Sequence, residues 1–166
     1  MKKYFSKCLL LLALTGCTGN SDKKIREEAI TVAAEYLKGQ SKTPEKKIGD
    51  NGTVSIIDGE TSYILDPSSL FTGFLDNDNR KDAILTVFSY YKDRPGRVEH
   101  LILINVNGKL TMQRAIENDM KILELKDGII TAEIHTHPKS SPLYNCPVCM
   151  EAVKFRYAAG ELVKAE

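Results

Sequence analysis

Ala83-Ile84-Leu85-Thr86-Val87-Phe88-Ser89-Tyr90-Tyr91 and Val98-Glu99-His100-Leu101-Ile102-Leu103-Ile104-Asn105-Val106 are rich in β-branched and aromatic residues, and Asn107-Gly108 follows at once. Both runs have the length and composition of strands. Asn-Gly after such a run predicts a tight hairpin, because a type I′ turn needs positive φ at both central residues. The next run, Lys109 to Ile116, is therefore expected to fold back on Val98–Val106.

The same signal recurs on either side. Val54–Ile57 meets Thr61–Leu65 across Asp58-Gly59, and Lys121–Leu125 meets Ile129–His135 across Asp127-Gly128. Val153–Tyr157 turns at Ala159-Gly160 into Glu161–Lys164. Hairpins that follow one another in this way predict an antiparallel meander. Ahead of them, Ile25, Ala29, Val32, Ala33, Tyr36 and Leu37 form one apolar stripe at helical spacing. Ser21 is a candidate cap for that helix and Gly39 a candidate stop. Residues 40–52 read as a loop. The expected fold class is α+β, with an N-terminal amphipathic helix packed on an antiparallel β-meander sheet.

The first residues read as an address rather than as fold. Lys2, Lys3 and Lys7 precede the apolar run Leu9–Leu14, and small residues lead to Cys17. That order is an export signal, and the apolar run is too short to span a bilayer. Leu14-Thr15-Gly16-Cys17 resembles a bacterial lipobox. The resemblance implies cleavage before Cys17 and a diacylglycerol on its thiol, so the membrane partner is the bilayer that holds those acyl chains. Thr18 rather than Asp after the acylated residue implies, by the same resemblance, an outer-membrane lipoprotein. The expected organisation is residues 1–16 as signal peptide, 17–22 as lipidated tether and 23–166 as a single α+β domain.

Composition excludes several classes. The 166 residues carry 23 Lys+Arg against 22 Asp+Glu, a formal charge of +1 that gives no footprint for nucleic acid. Loss of the signal lysines turns the remainder slightly acidic. No nucleophile elbow, P-loop or zinc-protease helix is present in the sequence, which favours a non-enzymatic module with an envelope protein as partner.

Two stretches could carry chemistry. In Gly73–Asp82, carboxylates and amides alternate directly before a strand and resemble the calcium loops of FG-GAP-type repeats. Asp76, Asp78 and Asp82 match ligand positions, with Asn79 at the turn glycine and Phe74 in place of the first acidic ligand. The favoured reading is an Asx-rich turn, in which Asp and Asn bond nearby backbone N–H groups. The second stretch holds His135, His137, Cys146 and Cys149. A structural disulfide between Cys146 and Cys149 is the first reading, suited to an oxidising compartment. A zinc or copper site using His135, His137, Cys146 and Cys149 is the second. A thiol-disulfide oxidoreductase built on Cys-x-x-Cys is the third. His100 reads as a surface or edge residue, and the tyrosines, Tyr144 among them, as packing residues.

Asp127-Gly128, Thr136-His137, the paired cysteines and the last hairpin together resemble small bacterial envelope lipoproteins of the LppP/LprE-like type. The similarity spans about residues 70–166. This chain departs from that pattern in spacing its cysteines Cys-x-x-Cys and in carrying His135. The resemblance implies an extracytoplasmic lipoprotein of unassigned activity.

Overall fold

The computed structural model describes residues 18–76, 78–144, 146 and 148–165. Residues 1–16, read from the sequence as a signal peptide, and Cys17 lie outside them. Among the described residues one helix, α1 (Thr18–Gln40), precedes ten strands. These are β1 (Glu45–Ile48), β2 (Val54–Asp58), β3 (Thr61–Gly73), β4 (Asp82–Tyr91), β5 (Arg94–Val106), β6 (Lys109–Glu117), β7 (Lys121–Lys126), β8 (Ile129–His135), β9 (Met150–Ala158) and β10 (Glu161–Lys164). The class is α+β with antiparallel sheets.

There are two sheets where the hairpin signals had suggested one. The first is six-stranded with β1 to β6 in chain order, and the second is four-stranded in the order β10-β9-β8-β7. Every neighbouring pair is antiparallel. The reason lies in β4 and β5. Asp82 to Val87 are all buried, and so are His100 to Ile104. A strand that is buried without alternation must be covered on both faces. On one face Ala83, Leu85, Val87, Leu101 and Leu103 share a core with Ala29, Ala33, Ala34 and Leu37 of α1. On the other, Ile84, Ile102 and Ile104 share a core with Met120, Ile122, Leu125, Ile130, Ala132 and Phe155 of the second sheet and its entry. The layers are helix, sheet, sheet.

The hairpin turns follow the residues that permit them. Asn107-Gly108, Asp127-Gly128 and Ala159-Gly160 all take positive φ at both positions. Lys92-Asp93 does the same, at 50° and 60°. The β4–β5 connection is therefore a two-residue turn, and β5 begins at Arg94 rather than Val98.

Four local expectations change. Residues 45–48 form an edge strand instead of loop; all four are exposed, which is why no apolar alternation marks them. Asp66-Pro67-Ser68-Ser69 is a bulge inside β3 rather than a strand end. There Asp66 Oδ1 accepts the Ser68 N–H at 2.8 Å. Helix α1 already includes Thr18, so Ser21 is not its first cap and the 18–22 segment is helical. Gly39 does not stop the helix, which runs to Gln40. Ser41 instead returns its hydroxyl to Leu37 O at 2.9 Å, and the Asp58 carboxylate accepts the N–H groups of Lys42 and Thr43 at 2.9 and 3.0 Å. Those two backbone donors hold the Asp58 carboxyl below its usual range.

Candidate functional site

The strands give the sandwich two ends. At one end lie the β4–β5 turn, the β6–β7 link (118–120) and the long β8–β9 loop (136–149). Four of the side chains named from the sequence, His135, His137, Cys146 and Cys149, lie there.

The β8–β9 loop is a chain of tight turns. Thr136 N–H donates to Cys149 O at 3.0 Å and its hydroxyl to the same oxygen at 3.1 Å, which closes the loop at its base. Ser141 N to Pro138 O, Tyr144 N to Ser141 O, Cys146 N to Leu143 O and Cys149 N to Cys146 O continue it at 2.8–3.0 Å. Cys146 and Cys149 are joined as a disulfide across a Cα separation of 5.2 Å. The residues after Cys149 enter β9, so neither sulfur sits at a helix N-terminus, the position that lowers a thiol pKa.

The loop is held to the body by Asp119. Tyr144 donates its hydroxyl to Asp119 Oδ2 at 2.5 Å, and Lys139 Nζ reaches the same oxygen at 2.7 Å. Lys139 first, then the Tyr144 hydroxyl, holds the Asp119 carboxyl below its ordinary range. Asp119 in turn raises Lys139 and Tyr144 above theirs. The Tyr144 ring leans on His135, with centroids 4.2 Å apart. His135 Nδ1 is buried and has no hydrogen-bond partner among the described residues. His135, His137, Asp119, Lys139 and Tyr144 line a common cavity of about 460 Å³.

That lining includes neither cysteine. The histidines share one cavity while the sulfurs are bonded to each other, and among the described residues no three His, Cys, Asp or Glu side chains converge on a metal position. The four-ligand set His135, His137, Cys146 and Cys149 is thus not assembled in this structure.

A second cavity, about 420 Å³, opens between the two sheets beside the first. Phe71, Phe88, Val98, Met120 and Ile122 give it an apolar wall, and Asp66, Ser69, Asp119 and Lys121 a polar rim. Thr86 lies in its floor. Behind Thr86 is His100, fully buried in the interior strand β5, which corrects its reading as a surface or edge residue. The alternation Val98-His100-Ile102-Ile104 carries the signal: it places His100 on the apolar face toward the second sheet. His100 Nε2 lies 3.1 Å from Asn118 O, an acceptor, so Nε2 carries the proton. Nδ1 then accepts the Thr86 hydroxyl at 3.0 Å. Burial pushes the imidazole down to about 4, so the ring is neutral at physiological pH.

The acidic loop lies at the opposite end and is built from Asx turns. Asp76 Oδ1 accepts the Asp78 N–H at 3.1 Å, and Asp78 Oδ1 accepts the Arg80 N–H at 2.8 Å. Asp78 also pairs with the Arg80 guanidinium. Asn79 takes a φ of 61°, the left-handed region that Asn tolerates. Asp82 is fully buried. Its Oδ2 accepts Leu75 N–H at 2.7 Å and its Oδ1 accepts Asn105 N–H at 2.8 Å. Among the described residues, Asp76, Asp78 and Asp82 do not converge on a cation position. Asn77 of the same loop lies outside the described residues.

No family model, curated protein or solved structure matches this chain. What the site can do follows from its geometry alone.

Proposed function

We propose that the chain is a cell-envelope lipoprotein, acylated at Cys17, that acts as a non-enzymatic binding module through the cleft between its sheets. The helix-backed antiparallel meander is the scaffold, and the second sheet leaves the cleft open at one end. The observation that carries the reading is the cavity of about 420 Å³ with an apolar wall and a polar rim. Ligand sites are commonly of this size, about 300–1,000 Å³, and mostly apolar with a few placed polar groups. The lipobox supports the anchor, and the Cys146–Cys149 pair supports an oxidising, extracytoplasmic compartment. The outer membrane is the proposed location, on the residue after Cys17.

The chain has no Trp, so Val98→Trp places a unique fluorophore on the cleft wall. A detergent-solubilised lipid and metabolite fraction from envelopes is expected to shift its emission, while Lys46→Trp on the far edge stays constant. No shift at position 98 at saturating extract rejects the cleft. Loss of membrane association in Cys17→Ser tests the anchor separately.

One observation favours a second reading. His135 Nδ1, unpartnered among the described residues, lines the same cavity as His137. If reduction frees Cys146 and Cys149, zinc or copper could draw all four together, after loop rearrangement. Metal retained by the reduced protein and lost in His137→Ala would support it. Insulin-reduction activity abolished by Cys146→Ser would point to the oxidoreductase alternative instead.

A further inference from the structure

The end of the sandwich opposite the cleft is where α1 begins. Asp22 is bound to Lys81 at 2.5 Å, just before β4. Arg26 donates to Leu70 O at 3.0 Å and Pro67 O at 2.7 Å, and Glu28 accepts the Leu110 N–H at 2.9 Å. The helix is therefore fixed to the first sheet from its second turn on. Thr18 to Asp22 is helical, a rise of only about 6 Å. Cys17 is the covalent neighbour of Thr18 and adds at most about 3.6 Å of reach.

The hairpin tips gather at the same end. Arg80 Nε donates to Asn105 O at 3.0 Å, and Asn105 Nδ2 to Lys81 O at 3.2 Å, which ties the Asn107-Gly108 hairpin to the acidic loop. Leu75, Asp76, Asp127, Gly128 and Ala158 surround one cavity, which brings the next two hairpin tips alongside. Phe74 and Val106 are 39% and 45% exposed there. Lys109, Lys126 and Arg156 are exposed on the same tips, and so are Asp76 and Asp127. Exposed apolar side chains flanked by long cationic ones are what the headgroup layer of a bilayer accommodates.

The geometry points to a fixed orientation. Resting on the Cys17 anchor proposed above, the hairpin-tip end bearing Phe74 and Val106 lies against the bilayer that holds the acyl chains. The cleft end, with Asp119, His135 and Tyr144, then faces the aqueous compartment. The occupant of the tip surface is that same lipid leaflet, because a stiff helix starting one residue after the anchor leaves no tether long enough to turn the sandwich over.

Strand β5 supplies the ruler. Arg94 and Val106 are its two ends, about 40 Å apart at ~3.3 Å per residue. Val106→Cys and Arg94→Cys, each made in the full chain, would be purified from membranes without reductant and labelled with a nitrobenzoxadiazole fluorophore. They would then be reconstituted into phosphatidylethanolamine–phosphatidylglycerol vesicles carrying headgroup nitroxides. Strong quenching at position 106 and none above a soluble control at position 94 is the expected result. Equal quenching, or stronger quenching at 94, with an intact mass showing acylation, overturns the orientation alone. An intact mass lacking acyl groups overturns the anchor and the orientation with it.

Discussion

Thr86 gives its hydroxyl proton to His100 Nδ1 at 3.0 Å, a buried bond between neighbouring strands. The bond requires the neutral ring, and burial holds the folded pKa near 4 against an ordinary 6.5. A lowered histidine pKa means that the unfolded chain binds the proton first as pH falls. The stabilisation is complete above pH 6.5 and is lost progressively down to about pH 4, where the folded ring also protonates. The loss over that window is about 3 kcal/mol, since each pH unit between the two values is worth ~1.4 kcal/mol. Urea unfolding at pH 7.0 and 4.5 measures it. His100→Gln should start less stable and lose most of the slope; an unchanged slope would assign the effect to other groups.

Asp82 bridges two segments that pairing within the sheets does not connect in the same way, the 74–81 loop and the end of β5. Its removal leaves the buried N–H of Leu75 and the part-buried N–H of Asn105 without this acceptor. Asp82→Ala should therefore cost about 2–5 kcal/mol, and Asp82→Asn less, since one carbonyl oxygen survives. The native melting temperature should be the same in millimolar calcium as in chelator, because this carboxylate serves the backbone. A calcium-dependent rise in melting temperature that Asp82→Asn abolishes would restore the cation reading.

Gly73 marks a close approach of the two sheets. A Cβ there would lie 2.8 Å from Leu125 Cγ and 3.2 Å from Leu125 O. Gly73→Ala must push β3 and β7 apart, at a cost of about 1–3 kcal/mol. Gly73→Ala combined with Leu125→Ala should recover part of that loss. Thermal denaturation of the single and double variants gives the coupling.

The Cys146–Cys149 loop is short, so its cross-link restricts the unfolded chain little. The chain-entropy relation gives about 2 kcal/mol for a loop of this size. Native protein should show no thiol reactive with Ellman's reagent in denaturant, and both after reduction. Cys146→Ser/Cys149→Ser should lower the melting temperature by several degrees while leaving the far-ultraviolet spectrum unchanged.

The hairpins were legible because their turns are local. Asn107-Gly108 and Asp127-Gly128 need only their own backbone to state what they do. The second sheet was not legible from pairing signals, since an apolar run such as Ala83–Phe88 tells that a strand is covered but not by what. Edge strand β1 was missed for the opposite reason: exposed on both faces, Glu45-Lys46-Lys47-Ile48 has no pattern to read. At the site, the cysteine and histidine pairs could be singled out by spacing. Asp119, Lys139 and Tyr144 could not, because their meeting depends on where the β6–β7 link and the 136–149 loop are brought together. His100 has a local signal too, since its two-residue alternation with Ile102 and Ile104 places it on a covered face.

A strand with one wet face keeps its register because a slip by one residue would drown its apolar side chains. Strand β4 lacks that safeguard: Ala83, Leu85 and Val87 face one core and Ile84 the other, so a slip merely exchanges one oily environment for another. What distinguishes the two registers is the few polar groups it buries. Asp82 finds the Asn105 N–H, and Thr86 finds His100, in only one alignment. These residues act as index pins for the central strands, and variants lacking both should fold to a mixture of alignments rather than simply to a weaker version of the same one.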